Sequence, residues 1–363
     1  MYSKILVYNT ERVVFKMTKL RWGVIGAGGI ADRRTIPGMM LADNAELIAV
    51  MDANKEAAER VKEKYGALAA YDNEADLLAR DDIDVVYIAS PVFCHKPQVA
   101  AAVAAKKHIL LEKPMGLTVA DSEEIYEMCK KAGVKLGIGF MMRYHAYHQK
   151  MKEIIQSGQL GEIVSCRGQL TCWYPKMEGN WRQDKSKSGG GALMDMGIHC
   201  IDLIQYITGL KAEKVFGFAD NGTFGYNADD SSAVLMQMEN GAKVFVDANF
   251  NIPDIAAKCF LEFYGTKGSI LANGTISQVE GGNVEVIIAD DSLGYDAAQN
   301  RVDNGPVKME AELGNMYQKE IENFGKYILG EDAEIITPEE AIFNQKIVET
   351  AYSVAETGVC AKL

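Results

Sequence analysis

A chain of 363 residues and 39.8 kDa exceeds one ordinary hydrophobic core, so its length implies two domains. Its 48% hydrophobic and 24% charged composition is that of a soluble globular protein. A net charge of −12 and a pI near 5.1 argue against nucleic acid and anionic membrane surfaces as partners.

No apolar run approaches the ~18 residues that a membrane span needs. The first 17 residues, with Lys4, Glu11, Arg12 and Lys16 among them, read as an N-terminal extension without the apolar stretch of a secretory leader, and Met17 is an alternative start. Residues 20–140 then alternate short apolar runs with helical stretches. Strands are expected at 21–25, 46–51, 85–89, 108–111 and 135–140, with helices at 55–65, 74–80, 97–106 and 119–132. Asp72 and Asp121 stand near helix starts and Gly133 just past a helix end. Strands that are apolar throughout are buried on both faces, which predicts a doubly wound parallel sheet covered by helices. Beyond residue 160 the rhythm changes to strands at 162–174, 213–220, 231–239, 243–250, 258–264 and 284–290. Turns such as Asn240-Gly241 separate several of them, so a large, mostly antiparallel sheet is expected. Helices at 191–208, 313–329 and 338–357 complete an α/β chain. The expected division is an extension over 1–17, a dinucleotide-binding domain over 18–142 and a substrate-binding and oligomerisation domain over 143–363. The last helix is expected to reach back to the dinucleotide-binding domain.

Three groups of residues carry chemistry. Gly26-Ala27-Gly28-Gly29-Ile30-Ala31 lies between a strand and a helix in the pattern G-x-G-x-x-A. Gly26 allows the tight turn, Gly28 allows backbone to approach a pyrophosphate, and Ala31 allows close helix–strand packing. Asp52 ends the next strand about 20 residues on, where a carboxylate accepts ribose hydroxyls and repels the 2′-phosphate of NADP. NAD is therefore the expected cofactor, while Lys55 and the Arg33-Arg34 pair leave room for NADP. Lys113, in Glu112-Lys113-Pro114, stands at the carboxyl edge of the parallel sheet, where ligands bind in such folds. Its ammonium suits a developing alkoxide, although spacing alone favours a surface ion pair with Glu112. Asp195 and His199 are i,i+4 after a run of three glycines, with Asp202 close by. An imidazole beside a carboxylate can take a hydroxyl proton, although on spacing alone a plain surface pair is the commoner arrangement. Trp173, Tyr174, Trp181 and Arg182 suit stacking on a sugar face, and aromatic residues mostly pack cores. The seven cysteines include no Cys-x-x-Cys pair, and with His145 and His148 they give no ordered four-ligand set. Neither a metal site nor a disulfide framework is expected, and a reducing cytoplasm is.

In combination and order, the pieces resemble the Gfo/Idh/MocA oxidoreductase family from about residue 18 to 358. They are GAGGIA at 26–31, Asp52, Pro91 with His95, Glu112-Lys113-Pro114, Gly139-Phe140 with Arg143, Gly158 with Leu160-Gly161-Glu162-Ile163, Trp181-Arg182, and GGGALMDMGIH at 189–199. The resemblance implies a Rossmann domain followed by an α/β domain whose open sheet builds an oligomer interface. It also implies cofactor contacts at Gly29, Ile30, Ser90, Pro91, His95, Glu112 and Lys113, and convergence of Lys113, Asp195 and His199 at the nicotinamide. Two departures stand out. Val92 occupies a place where members often carry Asn, and Arg143-Tyr144-His145-Ala146 replaces Arg-Phe-x-Pro. The runs FMMRYHAYHQK and LTCWYP look like bacterial enzymes that oxidise the 3-hydroxyl of a glucosyl group on plant glycosides. Arg143, Tyr144, His145, Trp173, Trp181 and Arg182 are then the expected substrate walls, His199 the base oriented by Asp195, and Lys113 the group that holds the oxygen. The competing expectations are a glycosidase or eliminating enzyme that oxidises transiently, a non-catalytic NAD or sugar sensor, and a structural partner in a larger assembly.

Overall fold

The computed structural model describes residues 19–289, 297–298 and 305–363. The extension at 1–17 and the end of the strand expected at 284–290 lie outside these residues. Six parallel strands form the first sheet: β1 (Leu20–Ile25), β2 (Ala45–Met51), β3 (Ala69–Tyr71), β4 (Val85–Ile88), β5 (His108–Glu112) and β6 (Leu136–Gly139). Their order is β3-β2-β1-β4-β5-β6, so the chain runs outward in one direction, returns to the centre and runs outward in the other. The reversal lies between β1 and β4, which pair in parallel from Trp22↔Val85 to Ile25↔Ile88. In doubly wound sheets the crevice at the carboxyl ends of such a pair is the binding place. β4 is buried at every position, as an inner parallel strand must be. The crossover helices are capped by Asn54, Asn73 and Thr118, whose side chains accept backbone N–H groups, rather than by Asp72 or Asp121.

The second sheet contains β7 (Ile163–Thr171), β8 (Ala212–Asp220), β9 (Ser231–Met238), β10 (Lys243–Asn249), β11 (Phe260–Gly265), β12 (Gly268–Asn273), β13 (Asn283–Ile288), β14 (Val307–Lys308) and β15 (Ala361–Lys362). Among the described residues its order is β14-β13-β12-β11-β7-β10-β9-β8-β15, antiparallel except for the pair β7–β10. Alternation is clean. In β9 and β10 the residues Val234, Met236, Val244 and Val246 point to the core, while Leu235 and Phe245 face outward. The helix Ile198–Thr208 covers the inner face, and one contiguous core continues from it to the first sheet.

The helix Pro338–Thr357 packs on β8 and on the helix Val119–Ala132. Ser122 Oγ donates to Gln345, Gln345 Nε2 donates to the Gly116 carbonyl, and Glu349 accepts the Val119 N–H at the start of the earlier helix. No helix among the described residues is long and apolar enough to cross a membrane.

Candidate active site

The glycine turn follows β1 directly. Gly26 has φ +81°, and a Cβ there would stand 2.7 Å from the Ser90 nitrogen at the end of β4. Only glycine fits that left-handed conformation and that approach. Gly28 donates its N–H to Asp52 Oδ2 at 2.9 Å, and the other Asp52 oxygen accepts from Asn54 N–H. The carboxylate thus ties the end of β2 to the glycine turn. Gly29 has φ +43° with no atom within 4 Å of where a Cβ would lie, which leaves open space over the start of the helix. Ala31 is fully buried against the sheet. An open helix start beside a strand-end carboxylate fits a dinucleotide's pyrophosphate and ribose.

β5 ends on Glu112, which is half-buried. Thr35 Oγ donates to Tyr87 Oη, and Tyr87 Oη donates to Glu112 Oε1 at 2.5 Å. Burial pushes the Glu112 carboxyl above its ordinary range, against the pull of Tyr87 and Lys113. Glu112 therefore does not form the surface pair with the Lys113 ammonium that spacing favours, and from Lys113 it accepts the backbone N–H. Lys113 instead crosses to the other sheet's helix. Its Nζ donates to Asp195 Oδ1 at 2.7 Å and to the Asp195 carbonyl at 2.8 Å, which leaves its third N–H for a ligand. The Lys113 side chain is 12% exposed and that of Asp195 25%. His95 is buried, with Nδ1 3.1 Å from the Pro114 carbonyl and Nε2 3.0 Å from the Ser90 carbonyl. It holds the ends of β4 and β5 together, and burial lowers its pKa to about 4. Ser90 Oγ donates to Gln98, and Pro91 precedes the short turn Val92–Cys94.

Asp195 and His199 do not meet as their i,i+4 spacing suggests. The segment Leu193–Gly197 is wound as a π turn, wider than the α-helix Ile198–Thr208 that follows, and such turns recur at functional sites. Both residues still face the same cavity, but the Asp195 carboxylate is bonded to Lys113, with Arg182 Nε 3.7 Å from its other oxygen. Burial drives Asp195 upward, yet the charges of Lys113 and Arg182 outweigh it and hold the carboxyl below the usual range. His199 is 4% exposed, its Nδ1 has no hydrogen-bond partner, and its ring meets Phe140 edge-on at 5.8 Å. Burial, reinforced by Lys113, holds its pKa well below 6.5, so the imidazole is neutral. Asp229 fixes the start of this segment. Its carboxylate accepts Gly191 N–H at 2.6 Å, Leu193 N–H at 2.8 Å and Tyr352 O–H at 2.7 Å.

A cavity of about 1010 Å³ joins these parts. Ile30, Ser90, His95, Glu112, Lys113, Asp195 and His199 line it, and so do Trp173, Trp181 and Arg182. Arg143, Tyr144 and His145 do not line it, contrary to expectation. Arg143 is buried on Asp202 through two bonds of 2.9 and 2.6 Å, with Glu340 as a third contact at 2.9 Å. Tyr144 Oη donates to the Glu334 carbonyl. His145 caps the helix Ala146–Gln156 with Nδ1, and its Nε2 lies 3.1 Å from the Gly281 nitrogen. Where the family pattern has proline, this chain places a histidine one residue earlier as a helix cap. Sequence reasoning missed Met177, Asp254, Cys259 and Tyr317, which line the cavity from loops and from the helix Met316–Leu329. None of them sits in a motif. No group of three or more His, Cys, Asp or Glu side chains among the described residues is arranged to hold a metal ion.

Comparison with known proteins follows the same division. Residues 20–140 match the family described as "Oxidoreductase family, NAD-binding Rossmann fold", and residues 148–271 match the GFO/IDH/MocA C-terminal domain. Myo-inositol 2-dehydrogenase of Thermotoga maritima is 32% identical over 260 residues, covering 70% of this chain and 75% of that protein. The chain belongs to the Gfo/Idh/MocA oxidoreductase family. D-glucoside 3-dehydrogenase of Escherichia coli K12 is a further relative, 27% identical over 95% of this chain and 97% of its own length. Levoglucosan dehydrogenase, solved with NADH and levoglucosan, shares the fold at a TM-score of 0.82, with 23% identity and coverage of 95% of this chain and 99% of that one. The protein is an oxidoreductase with an NAD-binding Rossmann fold, and the glycine turn with Asp52 fits that cofactor.

Proposed function

We propose that the protein oxidises a secondary hydroxyl of a sugar or glycoside, with the C3 hydroxyl of a glucosyl group as the leading candidate. One observation carries the reading: Lys113, Asp195 and His199 line a single cavity at the carboxyl edge of the NAD-binding sheet. The name of the E. coli relative supports the choice of carbon. Bound on Gly26–Ala31 and Asp52, NAD supplies the hydride acceptor. Lys113 offers its remaining N–H to the substrate oxygen and stabilises it as the proton leaves. His199, neutral and lining the same cavity, accepts that proton. Asp195 does not orient the imidazole. It holds the ammonium in place and cancels much of its charge.

Replacing Lys113 with Ala tests the assignment. Turnover of methyl β-glucoside, followed by nicotinamide reduction and by mass spectrometry of the oxidised carbon, falls by at least ~100-fold, the usual scale for a lost oxyanion-type group. NAD affinity is retained. Near-normal turnover excludes the role.

We further propose that two copies pair through the outer face of the second sheet, as the family resemblance implies. Phe216, Leu235 and Phe245 stand in register across β8, β9 and β10 on that face, with Phe218 exposed beside them. A contiguous exposed apolar row is what an isologous contact covers. Sedimentation should give a multiple of 39.8 kDa for the wild type and the single-chain mass for Phe245→Asp. A monomeric wild type refutes it. The seven free thiols suit a reducing cytoplasm.

A further inference from the structure

The lining of the cavity divides by chemistry. Glu112, Asp195, Arg182 and His199 line it with Lys113, while one stretch between β7 and the glycine loop contributes Trp173, Tyr174, Met177 and Trp181. Of these, Trp173 is 44% exposed and Met177 40%. The exposed ring is nonetheless fixed. Trp173 meets Phe224 edge-on at 5.3 Å, and its backbone N–H donates to Asp254 Oδ1 at 2.8 Å. One residue on, Ile255 is 99% exposed, the most exposed large hydrophobic side chain among the described residues. Asp254 and Ala257, on either side of it, line the cavity, so Ile255 stands on the rim.

A sugar ring can stack on one aromatic face and otherwise seeks hydrogen bonds. It gives no use to a thioether and a bare isoleucine beyond that face. Apolar side chains held in water by a rigid support mark a contact with something apolar. We propose that this rim is a subsite for an apolar aglycone, so that the substrate is a glycoside with an aromatic or alkyl leaving part rather than a free sugar. The inference rests on the sugar-oxidising reading for its orientation: the glycosyl group lies toward Lys113 and His199, and the aglycone passes Trp173 and Met177 to reach Ile255.

The test compares phenyl β-glucoside with methyl β-glucoside on the full chain loaded with NAD, reading affinity by calorimetry and turnover in parallel by nicotinamide reduction. One added ring packed on this rim tightens Kd by about tenfold. In Ile255→Asp and in Trp173→Ala the ratio of the two affinities falls toward one. Equal affinities in the wild type overturn the proposal, and so does a ratio that survives both substitutions. A lower assembly mass for Ile255→Asp would assign the rim to a contact between copies, and would overturn it too. Tighter binding of the phenyl compound without turnover of either supports the subsite and refutes the oxidation reading, so the two fail separately.

Discussion

Asp229 touches neither the cofactor cradle nor Lys113, yet it determines where the Asp195 segment begins, and its replacement by Asn measures how much. The carboxylate takes Gly191 N–H and Tyr352 O–H on Oδ1 and Leu193 N–H on Oδ2, so every donor is served by an acceptor. The Gly191 backbone is pressed against the same residue, with a Cβ there falling 1.9 Å from the Asp229 carbonyl oxygen. An amide supplies one acceptor and turns two N–H donors toward a position already occupied by a donor. One bond to a charged group is lost, a cost of about 1.5–3 kcal/mol, and a buried backbone N–H is left unpaired. Burial holds the Asp229 carboxyl above its ordinary range, so removing the charge returns part of this. The net loss is about 2 kcal/mol, read as a lower urea midpoint at constant slope. The Asp195 carbonyl and carboxylate that hold Lys113 shift with the segment. Misplacement of a positioned group by about 1 Å costs up to ~100-fold, and a partial shift should lower kcat by about tenfold with NAD affinity unchanged. A variant with wild-type midpoint and kcat would refute the reasoning, and loss of NAD affinity alone would place the effect elsewhere.

The buried Arg143–Asp202 pair is structural, so Arg143→Ala leaves Asp202 buried without a counter-ion, held by Asn344, and costs about 3 kcal/mol in chemical denaturation. If Arg143 instead held substrate, stability would be kept and KM alone would rise. Acid sensitivity has a sign fixed by burial. Desolvation lowers His148 to about 3, so as pH falls below 6.5 the unfolded chain takes up the proton first and stability is lost until about pH 3. Between pH 7 and 5 this amounts to about 2 kcal/mol, and His148→Gln should lose that much less than the wild type over the same interval. Equal losses would show that His148 is not held neutral.

The sheet that binds NAD is legible because its strands are unbroken apolar runs and its turn requires glycine at Gly26 for a reason visible in the backbone. Lys113 is legible as a strand-end residue, but its partner is not. Asp195 lies 82 positions away, and the nearer Glu112 is occupied by Tyr87. Periodicity placed Asp195 and His199 on one helical face because it assumed an α-helix, and a π turn breaks that relation. Arg143 and Asp202 misled for the same kind of reason. Each looked available beside a catalytic motif, and the fold across 59 positions pairs them with each other. His145 reads as a polar newcomer near substrate, and its actual use is local, as a cap two residues from the N–H it accepts.

The position of Asp195 resolves a conflict built into the proposed reaction. An ammonium that holds the substrate oxygen and an imidazole that takes its proton must stand close together in opposite charge states. A carboxylate bonded to the imidazole would raise its pKa and favour the imidazolium form. Here the carboxylate is bonded to Lys113, and burial together with the Lys113 charge outweighs the pull of Asp195 and keeps the ring unprotonated. The wide turn at Leu193–Gly197 keeps Asp195 off the ring that ordinary helical spacing would give it. Asp229 and Tyr352 hold that segment from its other end, so a residue of the last helix takes part in setting the charge state of a base that it never touches.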